Sequence, residues 1–173
     1  RVVMAPERNA YIIHICGADG TVERIISRPY ESVDRSPTEI EEARLSHAAI
    51  ASHYGREVRG VDVEKTEPDI VALAPMSDGT LRVRTSRGDR ERPEGVLTVL
   101  DVFDGEGRFV RQEVLEGPGD PRRDAIHMLP DGRVVIVKGA VEAYRREQNT
   151  ERAADALETE TVLEVICFEP AAG

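Results

Sequence analysis

Val96-Leu97-Thr98-Val99-Leu100-Asp101-Val102-Phe103-Asp104-Gly105-Glu106-Gly107-Arg108-Phe109-Val110 decides how this chain is read: an apolar run, a turn of aspartate and glycines, and a second apolar run. Glycine supplies the positive φ that tight hairpin turns demand. The same arrangement recurs from Tyr11 to Val22 around Asp19-Gly20, from Ile70 to Val83 around Asp78-Gly79, and from Ile126 to Val135 around Asp131-Gly132. Four antiparallel hairpins in one chain predict an all-β fold of stacked or radial units, none of which can bury its faces alone.

The hairpins are predicted over about 10–27, 70–86, 96–115 and 124–138, with a last strand at 162–169. They fall into two kinds. Leu73-Ala74-Pro75-Met76-Ser77-Asp78-Gly79-Thr80-Leu81-Arg82-Val83 matches Met128-Leu129-Pro130-Asp131-Gly132-Arg133-Val134-Val135 and reads as an inner strand pair. Leu100 to Phe109 matches Ile13 to Val22 and reads as an outer pair, a pattern that Ile166-Cys167-Phe168-Glu169 begins again. Gly79 and Gly107 are 28 residues apart, and Gly107 and Gly132 are 25 apart. Two hairpins thus make a unit of about 53 residues, near the length of a four-stranded propeller blade. Val2-Val3-Met4 is a candidate edge strand.

Between the first two hairpins the period changes. Ser36-Pro37-Thr38-Glu39 reads as a helix start, with Ser36 as N-cap, Pro37 in the first turn and Glu39 closing a capping box. Ile40, Ala43, His47, Ile50, Ala51 and Tyr54 follow at helical spacing, and Gly55 suits a C-cap. A helical insertion over 36–55 is predicted, packed on a blade rim or serving as a lid or partner surface. Val58, Val61 and Val63 could form a short strand. The segment 87–95 reads as a charged loop, and 144–161 as a weak helix or a mobile loop.

Composition narrows the function classes. The formal net charge of -10, from 33 acidic and 23 basic side chains, argues against sequence-independent nucleic-acid binding and docking on anionic membranes. Only Lys65 and Lys138 are lysines, which fits a GC-rich coding sequence. Aromatics make up 4% and tryptophan is absent, so stacking platforms for sugars or single strands are disfavoured. No apolar run of ~18 residues is present and no signal peptide is visible, so no membrane span is predicted and the compartment stays open. Cys16 and Cys167 both fall in predicted strands. They read as two buried free thiols, or as a bridge if those strands are neighbours.

The alternation of the two hairpin kinds resembles the six-bladed β-propeller proteins of bacteria, relatives of the NHL-repeat propellers. Val102-Phe103-Asp104-Gly105-Glu106-Gly107-Arg108-Phe109 is close to that family's outer-hairpin pattern. The resemblance covers most of the chain except the helix and 144–161. It implies a partial β-propeller with four-stranded antiparallel blades and one inserted α-helix: an outer hairpin at 10–27, the insertion at 36–55, a blade at 70–115 and a last blade at 124–169. Six such blades need about 300 residues, so the expectation is a C-terminal or partial copy, able to self-associate through exposed sheet edges. Relatives include hydrolases and lactonases that hold a metal in the central channel.

Candidate chemistry is sparse. His47 and His53 are six apart, not the i and i+4 of a zinc helix, and read as surface or capping residues. His14 and His127, in different hairpins, are candidates only if a central channel gathers them. Asp101 and Asp104 lack the spacing of a calcium loop, and Asp19, Asp78, Asp104 and Asp131 read as turn formers. Arg87 to Arg92 and Arg122-Arg123 read as solvated loops. Neither a nucleophile elbow nor a phosphate loop is present. No catalytic, cofactor or metal residue is assigned. The expectation is a non-catalytic binding or scaffold module for a protein or small-molecule ligand. The alternative is part of a hydrolase- or lactonase-like enzyme, which calcium-dependent stabilisation would reveal.

Overall fold

The computed structural model describes residues 1–53, 62–141, 143–144 and 163–170. Strands dominate, all in antiparallel pairs. The first sheet has the order β1-β2-β3, formed by Val2–Met4, Ile12–Cys16 and Val22–Ser27. Helix α1, Pro37–His53, follows. The second sheet has the order β4-β5-β6-β7, formed by Ile70–Pro75, Leu81–Thr85, Val96–Phe103 and Phe109–Glu116, with the short helix α2, Ser86–Arg90, between β5 and β6. The third has the order β10-β9-β8, formed by Ala125–Met128 (β8), Val134–Val137 (β9) and Val165–Phe168 (β10). Only the middle sheet has four strands; the flanking sheets, expected as parts of four-stranded blades, have three each among the described residues. Val2–Met4 is an edge strand, paired to β2 through Val3↔Ile15.

The middle sheet is sandwiched between the other two. Leu81, Val83 and Phe103 on one face pack with Tyr11, Ile13 and Ile26 of the first sheet. Leu97, Leu100 and Leu115 on the other face pack with Ile126, Val134 and Ile136 of the third. That double burial explains why β6 reads as an almost unbroken apolar run, whereas a strand with one wet face would alternate. The charged residue in the run, Asp101, is buried and bonded by three partners. It accepts from the Tyr11 hydroxyl at 2.9 Å and from Gln112 Nε2 at 3.1 Å, and the Arg28 guanidinium lies 2.9 Å away. Burial, and next the Asp101 charge, push the Tyr11 hydroxyl well above the usual phenol range. Asp101 is therefore a polar pin between the first two sheets.

The four hairpin turns are built alike. In each, a backbone N–H closes on the carbonyl four residues on, as in Gly17 to Thr21 (2.9 Å), Met76 to Thr80 (2.9 Å), Asp104 to Arg108 (3.0 Å) and Leu129 to Arg133 (2.8 Å). Asp19, Asp78, Asp104 and Asp131 each accept a backbone N–H two residues on, at 2.9–3.1 Å. Side-chain bonds from Thr21, Thr80 and Arg133 to Asp19, Asp78 and Asp131, and the Arg108 N–H bond to Asp104, together with these bonds hold the four carboxyls below the ordinary aspartate range. Turns of adjacent sheets touch: Arg24 Nη1 donates to Gly105 O at 2.7 Å, and Ser77 N donates to Pro130 O at 2.7 Å.

Candidate functional site: a charged cleft at the connection end

The opposite end of the sheets carries the long connections. Three of them, residues 28–69 with α1, 86–95 with α2, and 117–124, meet around a half-open cleft of about 540 Å³. The base of the first is tied by a short antiparallel pairing, Arg35 N to Lys65 O and Glu67 N to Val33 O, both 2.8 Å. From that base α1 starts on the predicted capping box: Ser36 N donates to Glu39 Oε2 at 2.8 Å, and Glu39 N donates to Ser36 Oγ at 3.3 Å. Tyr54, Gly55, Val58 and Val61 lie outside the described residues, as do 145–161, and Val63 is in irregular backbone.

The segment expected as a charged loop begins instead as a helix. Thr85 caps α2, its hydroxyl accepting from Gly88 N at 3.0 Å. A Cβ at Gly88 would lie 2.1 Å from the Val99 carbonyl, so α2 presses its backbone on β6 at the one residue without a side chain.

The cleft floor is a buried ion pair. Arg84 Nε meets both oxygens of Asp89, at 2.9 and 3.1 Å, and the Thr98 hydroxyl donates to Asp89 Oδ1 at 2.8 Å. Arg84 Nη2 also donates to Pro121 O at 3.3 Å, tying the floor to the 117–124 connection. The walls are ion pairs between connections. Arg90 Nη2 lies 2.7 Å from Glu39 Oε1 and 2.5 Å from Glu67 Oε1, and Arg122 pairs with Glu39 as well. Ser86 Oγ donates to Pro68 O at 2.5 Å. No described residue of α1 is fully buried, and its first turn is tied by charge to α2 and the 117–124 connection.

That arrangement shifts Glu39 and Arg90 in opposite directions. Burial acts to raise the Glu39 carboxyl, but the bonds from Arg90 and Ser36 and the Arg90 charge outweigh it and hold it at about 2. The bond to Glu67, against burial and with the bond to Glu39, keeps the Arg90 guanidinium above its ordinary value. A general base works best with a pKa near the operating pH, which Glu39 does not have. The cleft instead presents fixed charges of both signs.

The sequence candidates are dispersed. His47 lines the cleft on α1, whereas His14 and His127 sit on the first and third sheets and His53 ends α1; they do not converge. Among the described residues no group of three or more His, Cys, Asp or Glu side chains is placed to hold a metal. Cys16 and Cys167 are free thiols, but only Cys16 is buried; Cys167, expected buried, is exposed because its register row points away from the middle sheet. Arg87 pairs with Glu31 and Glu91, at 3.3 and 3.1 Å. Among the described residues no helix is long and apolar enough to cross a membrane. No protein-family model, no curated protein and no solved structure matches the chain.

Proposed function

We propose that the chain is a non-catalytic binding module of β-propeller type, whose contact surface is the charged cleft between α1, α2 and the 117–124 connection. One observation carries this reading: three connections from different parts of the sequence converge on one cleft in which carboxylates and guanidiniums are paired across the connections. Preset charges of both signs suit a polar polypeptide segment with complementary charges, because electrostatic complementarity supplies specificity and speeds encounter. The blade reading is supported by the sheet orders. The inner-type hairpins β4–β5 and β8–β9 sit at positions one and two of their sheets, and the outer-type hairpins β2–β3 and β6–β7 at the last two.

Panning a random peptide display library on the immobilised chain tests the proposal. Ala43→Arg fills the cleft from α1 without removing any ion pair described above. The expected outcome is enrichment of charged peptides that bind the wild type about tenfold or more tightly than the variant, with affinity falling as salt rises. Peptides that bind both proteins alike, or no enrichment, would sink the reading. Calcium is the parallel check: a thermal midpoint that rises with calcium would put the hydrolase-like alternative ahead.

A further inference from the structure

Both flanking sheets leave one apolar face open. On the first sheet, register places Met4, His14 and Ile25 in one row and Val2, Cys16 and Val22 in the next, on the face turned away from the core residues Ile13 and Ile26. Ile25 is 60% exposed. On the third sheet, Ala125, Val137 and Val165 form one row and His127, Val135 and Cys167 the next, turned away from Ile136 and Ile166. Val165 is 63% exposed.

The repeat shows that these two faces are of opposite kind. Aligning the hairpins on their turn glycines puts Val134 and Ile136 in the places of Leu81 and Val83, and register then puts Phe168, opposite Val134, in the place of Phe103, opposite Leu81. Those are the residues with which the middle and third sheets each face the sheet before them. By the same alignment Cys16, itself buried, takes the place of Phe103, so the face it shares with the exposed Val2, Met4, Val22 and Ile25 is built to receive a preceding sheet. Val135 and Cys167 take the places of Arg82 and Val102, so the open face of the third sheet is built to receive a following one. The stack inside the chain is an established interface, and both open faces continue it.

We infer that a second copy of this chain covers both faces at once, the third sheet of each copy packing on the first sheet of the other. The inference rests on the radial-stack reading above. The contact is heterologous, and a heterologous contact either closes or runs on as a fibre. Radial sheet stacks close at about four to eight units. With the three sheets of the described residues in each copy, two copies fall in that range and three do not, so the closed form is a dimer.

Light scattering after size exclusion, on the whole chain at micromolar concentrations, should give twice the 19.1 kDa chain mass. Ile25→Lys and Val165→Lys each place a charge on one open face, at exposed sites that leave the chain's own core intact. Each should weaken the dimer about tenfold or more while far-UV circular dichroism is unchanged. Mixed together, the two variants should form a heterodimer, because one of its two contacts is then wild-type on both sides. A wild-type monomer, a mass that grows without limit, or variants that fail to rescue each other would overturn the inference. If the monomer still binds the cleft-selected peptides, only the dimer falls; if those peptides fail on a proven dimer, only the cleft reading falls.

Discussion

At the turn end of the sheets, each hairpin closes within five residues, and one device, an aspartate accepting a nearby backbone N–H, appears four times. At the connection end nothing repeats. Glu39 meets Arg90 and Arg122, 51 and 83 residues away, and Arg84 reaches Pro121, 37 residues away. Short-range chemistry makes four interchangeable turns, while long-range chemistry makes one cleft that no other part of the chain copies. The proposed contact surface lies at the second end, since a surface used once can be specific to one partner.

The largest effect is expected at the cleft floor. Arg84→Met leaves Asp89 buried with only the Thr98 hydroxyl against it, and breaking a buried pair from one side costs about 3–5 kcal/mol. Urea unfolding should show that loss, and adding Asp89→Asn should restore part of it. An unchanged midpoint would mean that the floor is hydrated.

Glu39 comes next. Its folded carboxyl sits at about 2, below its ordinary 4.5, so the stability it contributes is complete above pH 4.5 and is lost as pH falls towards 2. The full difference is worth up to about 3 kcal/mol. Glu39→Gln should flatten the acid limb of a stability-versus-pH curve over that window. Hydrogen exchange should show α1 opening in the variant before the sheets do.

The turn end should respond less, and unevenly. Gly132 and Gly107 both have positive φ, 94° and 79°, but only Gly107 also has a neighbour in the way, with its ideal Cβ 2.9 Å from Ile26 Cγ1. Gly132→Ala should cost about 1 kcal/mol and Gly107→Ala about 2–3 kcal/mol, since strain and steric displacement add. Equal losses would show that Ile26 moves aside freely. The smallest effect belongs to Asp78→Ala, which removes two exposed turn bonds, from the Thr80 N–H and the Thr80 hydroxyl, and should cost about 0.5–1 kcal/mol.

The same contrast governs what the sequence reveals. The turns, the capping box at Ser36 and Glu39, and the strand run of β6 are legible because each depends on residues within a few positions, whereas the covering of β6 on both faces is not. Helix α2 is not, because Gly88 reads as a loop residue until the Val99 carbonyl is seen against it. The cleft is illegible for the same reason: Arg84, Asp89 and Arg122 look like ordinary surface charges until the fold pairs them. Cys167 differs again. The period of its strand was readable, but which of its two faces is covered depends on a neighbouring sheet.

The strand order has a consequence for how the chain acquires its structure. Every strand pair among the described residues joins strands consecutive in the sequence, so sheet formation asks for little loop closure between distant segments. Each sheet is complete in the sequence before the next begins. On a ribosome, the first could zip up as it emerges and offer Tyr11, Ile13 and Ile26 as a template for the second. The cleft, which needs contacts across 83 residues, would be the last part to form.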